Sequence, residues 1–338
     1  MTISDPASDP AKPETEPGKQ AISAITGAES AADGAATVDG TTGDRAGAEP
    51  SAGGTDAPEP SVEARPDAAE RAGAAVDPTD ANSAGEAIPN LHLHGLGRSL
   101  LTGLGFFTRL PVRPTDQPLA DAVAVFSVIG AVIGIAATAV YVIGLWIGLS
   151  GLMSAILAVA ATAVLTGALH DDGLADFADM LGVRGDRLRK LAVMRDSTIG
   201  SYGTLALVFV NLMKVAALAD LAVPGQVASA LIAAHALGRG VLPLVMRSYP
   251  LARSDGLAVH AGKPPLKGTY VSIALAVLIA GLVGGPSVAL VATVAAFVVA
   301  FLVAQIAQRQ LGGYTGDVLG AAEQLVEVTV ILNFVSFT

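Results

Sequence analysis

The sequence predicts an all-α, polytopic membrane helix bundle that follows a disordered tail. Three observations lead to this fold class. Apolar runs of membrane-spanning length follow one another from about residue 91, and the mean hydropathy of the whole chain is +0.57. Charged residues are sparse within those runs and gather in the connections between them. Cysteine is absent, which excludes disulfides, thiolate metal sites and a cysteine nucleophile.

The first segment, residues 1–90, is rich in Ala, Gly, Pro and acidic residues and has no apolar periodicity. It holds 17 acidic and 5 basic residues, whereas residues 91–338 hold 13 acidic and 15 basic residues. Such a composition buries too little apolar surface to offset the entropy lost on folding, so we predict a disordered tail. The formal net charge of −10 therefore comes from the tail, and residues 91–338 show no pattern typical of a nucleic-acid partner.

The membrane-embedded part, residues 91–338, begins with an amphipathic segment. Apolar residues recur at helical spacing over residues 91–110, which predicts a helix lying on the membrane surface. Three prolines between residues 111 and 118 end it. The apolar runs that follow predict about seven spans, at about 122–148, 152–169, 204–222, 226–246, 269–285, 287–307 and 318–337.

Basic residues indicate the orientation of the bundle. Of the 15 Lys and Arg residues after residue 90, 13 lie in alternate connections, and the intervening turns near Ser150, Pro224 and Gly285 carry no charge. By the positive-inside rule, the basic connections and the amino terminus face the cytoplasm. We therefore expect a multi-pass protein of the cytoplasmic membrane, with the connection after the second span on the cytoplasmic side.

That connection opens with residues 170–179, which hold four carboxylates and a histidine. Asp172, Asp176 and Asp179 are spaced i, i+4 and i+7, which places them within about 60° of one another on a helix. Like charges stacked so closely repel unless a cation lies between them. Oxygen-only ligands suit Mg²⁺, with Mn²⁺ as an alternative. These aspartates therefore predict a metal site; the alternative is a solvated acidic loop between two membrane helices.

Residues 194–203 form a second polar stretch in the same connection. Asp196 adds a carboxylate and Arg195 a cation, and Gly200 allows backbone amides to approach a bound anion. The hydroxyl of Ser197 has two equal interpretations, a hydrogen bond to a phosphate oxygen or the cap of a helix or turn.

A third stretch, residues 312–320, is rich in glycine, contains Asp317 and leads into a helix with Glu323 and Glu327. These glutamates are spaced i, i+4 and share a face inside the bilayer, where an unpaired charge is costly. We expect Arg239 of the fourth span to pair with them, and for these three a structural ion pair and a catalytic role are equal alternatives. Carboxylates, basic side chains and glycine-rich loops on one face predict chemistry on a diphosphate.

Five ordered motifs resemble those of the cobalamin synthase family, the adenosylcobinamide-GDP ribazoletransferases. They are FTRLPV at 107–112, HDDGLAD with Asp179 at 170–179, MRDSTIG at 194–200, residues 249–257 and residues 312–321. The resemblance covers the chain from about residue 91 to its end. Two positions depart from the family pattern: Arg195 stands where lysine is common, and Thr198 stands where a basic residue is often found. Neither departure affects the aspartates.

The resemblance implies that a ribose hydroxyl of α-ribazole, or of its 5′-phosphate, attacks adenosylcobinamide-GDP and releases GMP. It also implies Mg²⁺, an inner-membrane location, and other late enzymes of cobalamin synthesis as partners. Asp172, Asp176 and Asp179 are then the metal ligands, and either His170 or a carboxylate accepts the hydroxyl proton. The catalytic set is His170, Asp172, Asp176 and Asp196. The substrate-binding set is Arg109, Arg195, Ser197, Gly200, Arg239, Arg253, Asp317, Glu323 and Glu327.

Two other functions compete with this interpretation. A membrane phosphotransferase that uses a CDP-alcohol requires Ala-Arg where this chain has Ala175 and Asp176. A transporter would use Glu323, Glu327 and Arg239 as an intramembrane pathway, and its charges would be spread through the spans. Here most of the charges gather at one face.

Overall fold

The computed structural model describes residues 93–113 and 115–337, so the predicted tail and its boundary at residue 90 lie outside the described residues. Within these ranges the chain is α-helical, and its one β-bridge joins Leu251 to Tyr314. A 3₁₀ helix, Leu119–Val125, precedes α2. The α-helices are α1 (Leu93–Phe107), α2 (Phe126–Trp146), α3 (Gly151–Thr166), α4 (Leu169–Gly182), α5 (Arg187–Val193), α6 (Ser201–Leu221), α7 (Pro224–Gly240), α8 (Leu242–Ser248), α9 (Leu257–Ala261), α10 (Leu266–Leu311) and α11 (Gly316–Val335).

Five helical stretches of the described chain are long and apolar enough to cross a membrane, or six if the bent pair α3–α4 counts as one span. The five are Leu119–Trp146, Ser201–Leu221, Pro224–Ser248, Leu266–Leu311 and Gly316–Val335. The all-α, multi-pass membrane bundle is therefore confirmed. The amphipathic segment before the spans is also helical, as α1.

The count of five or six differs from the predicted seven, and α10 accounts for one of the missing spans. Its 46 residues would make a helix about 69 Å long, more than twice the hydrocarbon core of a bilayer. The helix is broken at Gly285, whose φ of 80° is followed by Pro286. A Cβ on Gly281 would lie 3.9 Å from the Cβ of Ala289, so the chain reverses at the break. The helix α10 therefore consists of two helices side by side, where two spans were predicted.

The bend between α3 and α4 accounts for the other missing span. The helix α3 has only 16 residues, because Gly167 (φ 64°) and Ala168 (φ 55°) adopt left-handed conformations. The helix α4 then leaves at 92°. A glycine suits position 167 because of its positive φ and because the Arg109 side chain occupies the space that a Cβ would need. The predicted span at 152–169 is thus a short helix, and the aspartates lie on a second helix set at a right angle to it.

Close helix contacts fix the position of the aspartates. The span Pro224–Ser248, which comprises α7 and α8, is the most buried of the five, and α7 packs against α2, α10 and α11. The helices α4 and α11 cross at two glycines: a Cβ on Gly173 would lie 3.1 Å from the Cα of Gly320 and 2.9 Å from the carbonyl oxygen of Asp317. Small residues at such crossings let two helix backbones approach each other in lipid. The crossing brings Asp172 and Asp176 of α4 beside Asp317 of α11.

Candidate active site

The carboxylates at this crossing are close enough to repel one another. Asp176 is half-buried and is subject to the negative charges of Asp317, Asp172 and Asp179, with Arg253 as the opposing cation. The nearest guanidinium nitrogen of Arg253 lies 3.5 Å from Oδ2 of Asp317. Asp172, Asp176 and Asp317 therefore lie close together with Arg253 as their counter-charge, so carboxylates outnumber cations at this crossing.

Asp179 has a different environment from the other aspartates of α4. Its Oδ2 accepts a hydrogen bond from the N–H of Gly200 at 2.7 Å, and its Oδ1 accepts one from the N–H of Gly203 at 2.8 Å. Both amides belong to the start of α6, where unpaired N–H groups favour a carboxylate. Asp179 thus holds the 194–203 stretch against α4. Its role as a metal ligand, and that of Gly200 in substrate binding, stay predictions.

A cleft with an empty volume of about 720 Å³ opens beside α4; we call it the apolar cleft. Its walls are largely aromatic and aliphatic, and its polar lining comes from His170, Asp172, Arg253 and Asp317. Its apolar lining includes Phe106, Phe107, Leu119, Phe126, Leu242, Met246 and Leu257. The rings of Phe106 and Phe107 are 5.0 Å apart and those of Phe107 and Phe126 are 4.7 Å apart, both edge to face.

A second cleft, the polar cleft, has an empty volume of about 940 Å³ and lies between α4 and the 194–199 loop. Asp171, Asp172 and Asp176 line it from α4. Arg195, Asp196, Ser197 and Thr198 line it from the loop. The structure therefore brings the first two predicted stretches together. Because Asp172 lines both the apolar and the polar cleft, the two clefts meet at this residue.

Asp196 is exposed in the polar cleft. Its Oδ1 accepts hydrogen bonds from the N–H of Thr198 at 3.0 Å and from the Thr198 hydroxyl at 2.8 Å, and these bonds lower the pKa of the Asp196 carboxyl. Asp196 is therefore an ionised carboxylate at neutral pH. Thr198, which stands at a position where the family often has a basic residue, orients this carboxylate.

A third cleft, the basic cleft, adjoins the other two. It is lined by Arg187, Arg195, Arg253 and Asp255, among others. Arg195 donates to both carboxylate oxygens of Asp255 at 2.5–2.6 Å across the surface. Arg195 also lines the polar cleft, and Arg253 also lines the apolar cleft. A guanidinium group therefore stands where the basic cleft borders each of the other two.

Glu323 and Glu327 lie inside the bundle, in what we call the buried cluster. Arg239 donates to Glu323, and Nζ of Lys214 lies 2.9 Å from Oε1 of Glu327. The Nδ1 atom of His235 lies 3.0 Å from Oε2 of Glu327. The expected pairing of Arg239 with the glutamates is present, and the two carboxylates are balanced by two cations. None of these five residues lines the three clefts described above, which favours the structural alternative over contact with substrate.

The buried cluster also resembles a metal site in its spacing. Within residues 93–113 and 115–337, the metal-binding side chains that converge to within 4.8 Å are those of His235, Glu323 and Glu327, and not the aspartates of α4. The Nη1 atom of Arg239 lies 2.5 Å from Glu323, 3.1 Å from His235 and 3.9 Å from Glu327. A guanidinium nitrogen thus occupies the position that an ion would take.

His170 links the two groups of carboxylates. It is buried, lines the apolar cleft, and its Nδ1 lies 3.1 Å from Oε2 of Glu323. Arg109, by contrast, is exposed after α1 and lines none of these clefts; its backbone N–H donates to the carbonyl of Leu165.

Sequence reasoning missed Lys214 and His235. The signal was available for His235, because its i, i+4 spacing from Arg239 on α7 matches that of the two glutamates on α11.

Fold and site together define a multi-pass membrane protein whose polar clefts bring aspartates and guanidinium groups to one point, an arrangement suited to a phosphorylated substrate. Residues 99–335 match the model of the cobalamin-5-phosphate synthase family, and the chain belongs to that family.

Curated relatives agree with this assignment. The chain is 43% identical over 236 residues to an adenosylcobinamide-GDP ribazoletransferase of Bradyrhizobium diazoefficiens, covering 69% of this chain and 91% of the relative. It is 41% identical over 246 residues to the protein of that name from Azorhizobium caulinodans, covering 68% and 92%. The Escherichia coli protein of that name is 37% identical over 238 residues, covering 68% and 96%. No solved structure matches the chain.

Proposed function

We propose that this protein is an adenosylcobinamide-GDP ribazoletransferase, which joins adenosylcobinamide-GDP to α-ribazole or to its 5′-phosphate. The observation that carries the proposal is the junction at Asp172, where an apolar cleft and a polar cleft meet beside Arg253. A transfer between an aromatic nucleoside and a diphosphate needs both environments at one point. The printed names of the relatives support these two substrates.

The reaction is a displacement at phosphorus. A ribose hydroxyl oxygen of the acceptor forms a bond to the phosphorus next to cobinamide, and the bond from that phosphorus to the bridging oxygen breaks. The bridging oxygen leaves with the bonding pair as part of GMP, and the hydroxyl proton passes to a base. His170, Asp172 and Asp176 are the candidate bases, because all three line the clefts that meet there.

Basic and hydroxyl side chains around the junction are suited to bind the diphosphate. We propose that Arg253 and Arg195 neutralise phosphate oxygens and that Ser197 donates a hydrogen bond to one of them, which their positions in the lining of the clefts support. Asp317 positions Arg253 through their 3.5 Å contact and accepts a hydrogen bond from Thr315 at 3.1 Å. Arg109, Arg239, Glu323 and Glu327 do not line these clefts, and the proposal gives them no contact with the diphosphate.

A divalent cation fits the donor set at the α4–α11 crossing. The donors are carboxylate oxygens, which Mg²⁺ prefers, and their mutual repulsion is what a bound cation would relieve. Asp172 and Asp176 are the residues we propose to hold it, with Asp179 and Asp196 as further candidates and Mn²⁺ as an alternative ion. When bound, the ion would neutralise charge on the phosphate oxygens.

We also propose a location and an orientation. The distribution of basic residues supports placement in the cytoplasmic membrane with the aspartates and the amino terminus facing the cytoplasm. Other late enzymes of cobalamin synthesis are the proposed protein partners.

The test is turnover by the purified protein in detergent. With Mg²⁺, adenosylcobinamide-GDP and α-ribazole, we expect release of GMP and formation of the cobalamin, both followed by mass spectrometry. Asp172→Asn should lower the rate by about a thousandfold, since a group that organises charge at the reacting phosphate is lost. Asp220→Asn, at the exposed far end of α6, is the matched control and should retain activity. Consumption of a CDP-alcohol without GMP release would disprove the proposed reaction.

A further inference from the structure

The helix α11 carries two glutamates one turn apart, and each lies beside a buried histidine from another helix. Nδ1 of His170 lies 3.1 Å from Oε2 of Glu323. Nδ1 of His235 lies 3.0 Å from Oε2 of Glu327. His170 lines the apolar cleft, whereas His235 is 1% exposed and lines none of the three clefts. Of these two pairs, the first therefore joins the buried cluster to the proposed site.

The two nitrogens of the His170 ring have different surroundings. Nδ1 is buried and makes no hydrogen bond elsewhere in the described chain, so a proton on it is directed at the Glu323 carboxylate. Nε2 then keeps its lone pair on the side of the ring away from Glu323. We infer that Glu323 is a positioning residue for the proposed transfer: it holds neutral His170 with its proton on Nδ1, so that Nε2 accepts the proton of the attacking hydroxyl. This inference rests on the proposed function and chooses one of its three candidate bases.

The Glu323 carboxylate is itself held at both oxygens. Arg239 donates to Oε1, and the side-chain amide of Gln324 donates to Oε2 at 3.1 Å. Glu323 is fully buried, and its Oε1 would lie 3.2 Å from a Cβ placed on Gly238 of α7. A buried side chain with both oxygens engaged has little freedom to rotate, so it can fix the orientation of the ring beside it.

Packing holds His170 from two further sides. A Cβ on Gly320 would lie 3.2 Å from the Cα of His170, so this glycine lets α4 approach α11 closely. Gly320 and Glu323 are three residues apart and share a face of α11. The ring of Phe107, which is buried, lies against the imidazole with ring centroids 5.6 Å apart. The imidazole is therefore held in place before any substrate binds.

Two of the three candidate bases have another task. Asp172 and Asp176 are the proposed ligands of a cation, and a carboxylate that binds a cation is a weaker proton acceptor. His170 keeps a free lone pair on Nε2. As the hydroxyl oxygen forms its bond to phosphorus and the bridging oxygen leaves with GMP, the hydroxyl proton passes to this lone pair. The Glu323 carboxylate then stabilises the positive charge on the ring.

The first test is the position of the proton on His170, measured by nitrogen NMR of the purified, histidine-labelled protein at a pH where the ring is neutral. The chain has five histidines, and the signals of His170 are those lost in His170→Gln. We expect the proton on Nδ1 in the unmutated protein. Glu323→Gln should move it to Nε2, because the amide turns its oxygen to Arg239 and its NH₂ to Nδ1. A proton on Nε2 in the unmutated protein would overturn the inference, as would one that stays on Nδ1 in Glu323→Gln.

The second test separates positioning from stability. Glu323→Gln should lower kcat by about 10- to 100-fold and leave the KM of both substrates unchanged, since the residue contacts neither. Lys214→Met is the matched control, because it also breaks an ion pair of the buried cluster but leaves the contact between Glu323 and His170 in place. It should lose stability and keep its kcat per folded molecule. Equal losses of kcat in the two variants would show that activity follows stability alone, contrary to the inference.

A second variant keeps this test valid if Glu323→Gln is too unstable to purify. Glu323→Gln combined with Arg239→Met removes both charges of the buried pair and should recover stability. Its kcat should nevertheless stay low, because His170 still lacks its carboxylate. A full recovery of kcat together with stability would refute the positioning role.

A double-mutant cycle shows whether Glu323 acts through His170. His170→Gln should lower kcat by about a hundredfold or more, as expected for the loss of a general base. Adding Glu323→Gln to His170→Gln should lower kcat no further, because the ring that Glu323 positions is already gone. Losses that multiply would mean that Glu323 acts independently of His170, and the inference would fail.

The NMR measurement needs no turnover, so it separates this inference from the proposed function. If the unmutated protein releases no GMP, yet its proton lies on Nδ1 and moves in Glu323→Gln, the pairing of Glu323 with His170 is supported and the proposed reaction fails. If GMP is released but the proton lies on Nε2, the positioning role is wrong and the reaction stands.

Discussion

The helix α11 carries two kinds of carboxylate within a few turns, and their surroundings differ. Asp317, at its first turn, lies with Asp172 and Asp176 at the edge of open clefts, and Arg253 is the cation that opposes them. Glu323 and Glu327, further along, are buried and are matched by Arg239 and Lys214. In the first group carboxylates outnumber cations, whereas in the second the two carboxylates are matched by two cations before the histidines are counted.

Burial explains why the two groups are built differently. Inside a membrane protein a carboxylate without a counter-charge is very costly, so its partners must be part of the fold. At a cleft that water and solutes can enter, repulsion between carboxylates can persist until a ligand removes it. The buried cluster is therefore expected to contribute to stability, and the aspartates of α4 to ligand binding.

The largest expected effect is a loss of stability in Glu323→Gln. This change leaves the guanidinium of Arg239 buried without its main partner, which should lower the free energy of unfolding by roughly 3–5 kcal/mol. Asp176→Asn should instead leave the free energy of unfolding unchanged or raise it, because it relieves repulsion. Thermal unfolding in detergent, followed by circular dichroism, measures both.

A double variant provides the control for this experiment. Glu323→Gln combined with Arg239→Met removes both charges and should recover much of the lost stability, as is common when a buried ion pair is replaced as a unit. Equal losses in Asp176→Asn and Glu323→Gln would show that the two groups of carboxylates do not differ in the way we describe.

A smaller effect is expected from magnesium. If the aspartates of α4 bind it, Mg²⁺ at about 100 times its Kd should stabilise the unmutated protein by about 2.7 kcal/mol. The thermal midpoint should respond in Glu323→Gln as well, since the buried cluster already contains its cation, and should not respond in Asp172→Asn. Sodium chloride at equal ionic strength is the control for screening. A magnesium shift that persists in Asp172→Asn and disappears in Glu323→Gln would place the ion in the buried cluster.

The sequence predicted the bundle better than it predicted the site. Apolar runs alone are enough to place spans, because a helix must satisfy its backbone within lipid whatever lies beside it. They do not show where a helix turns. The bend at Gly167 and Ala168 depends on two left-handed residues, one of them an alanine that no turn pattern marks. The helix that follows the bend, α4, packs against α11, a contact that apolar runs do not contain either.

Helical periodicity predicted correctly that Asp172, Asp176 and Asp179 lie on one side of α4, and it could not say what each would meet. Asp179 meets the amides of Gly200 and Gly203, a contact across more than 20 residues of chain. The partners of Glu327 include Lys214 and His235, each on a different helix. Such contacts follow from the tertiary arrangement, which spacing along one helix does not contain.

The smallest expected effect concerns the ion pair between Arg195 and Asp255. This pair is exposed, whereas the ion pair that Glu323 forms lies buried inside the bundle. Both side chains are more than half exposed, so water and salt screen their attraction. Asp255→Asn should change the free energy of unfolding by about 0–1 kcal/mol, in contrast to Glu323→Gln.

Because the change frees Arg195 at the boundary of the polar and basic clefts, it should lower the KM for adenosylcobinamide-GDP at low ionic strength. In high salt this effect on KM should disappear. Steady-state kinetics over a salt series measures it. A loss of stability in Asp255→Asn as large as that of the buried pair would refute the view that burial decides which charges hold the fold together.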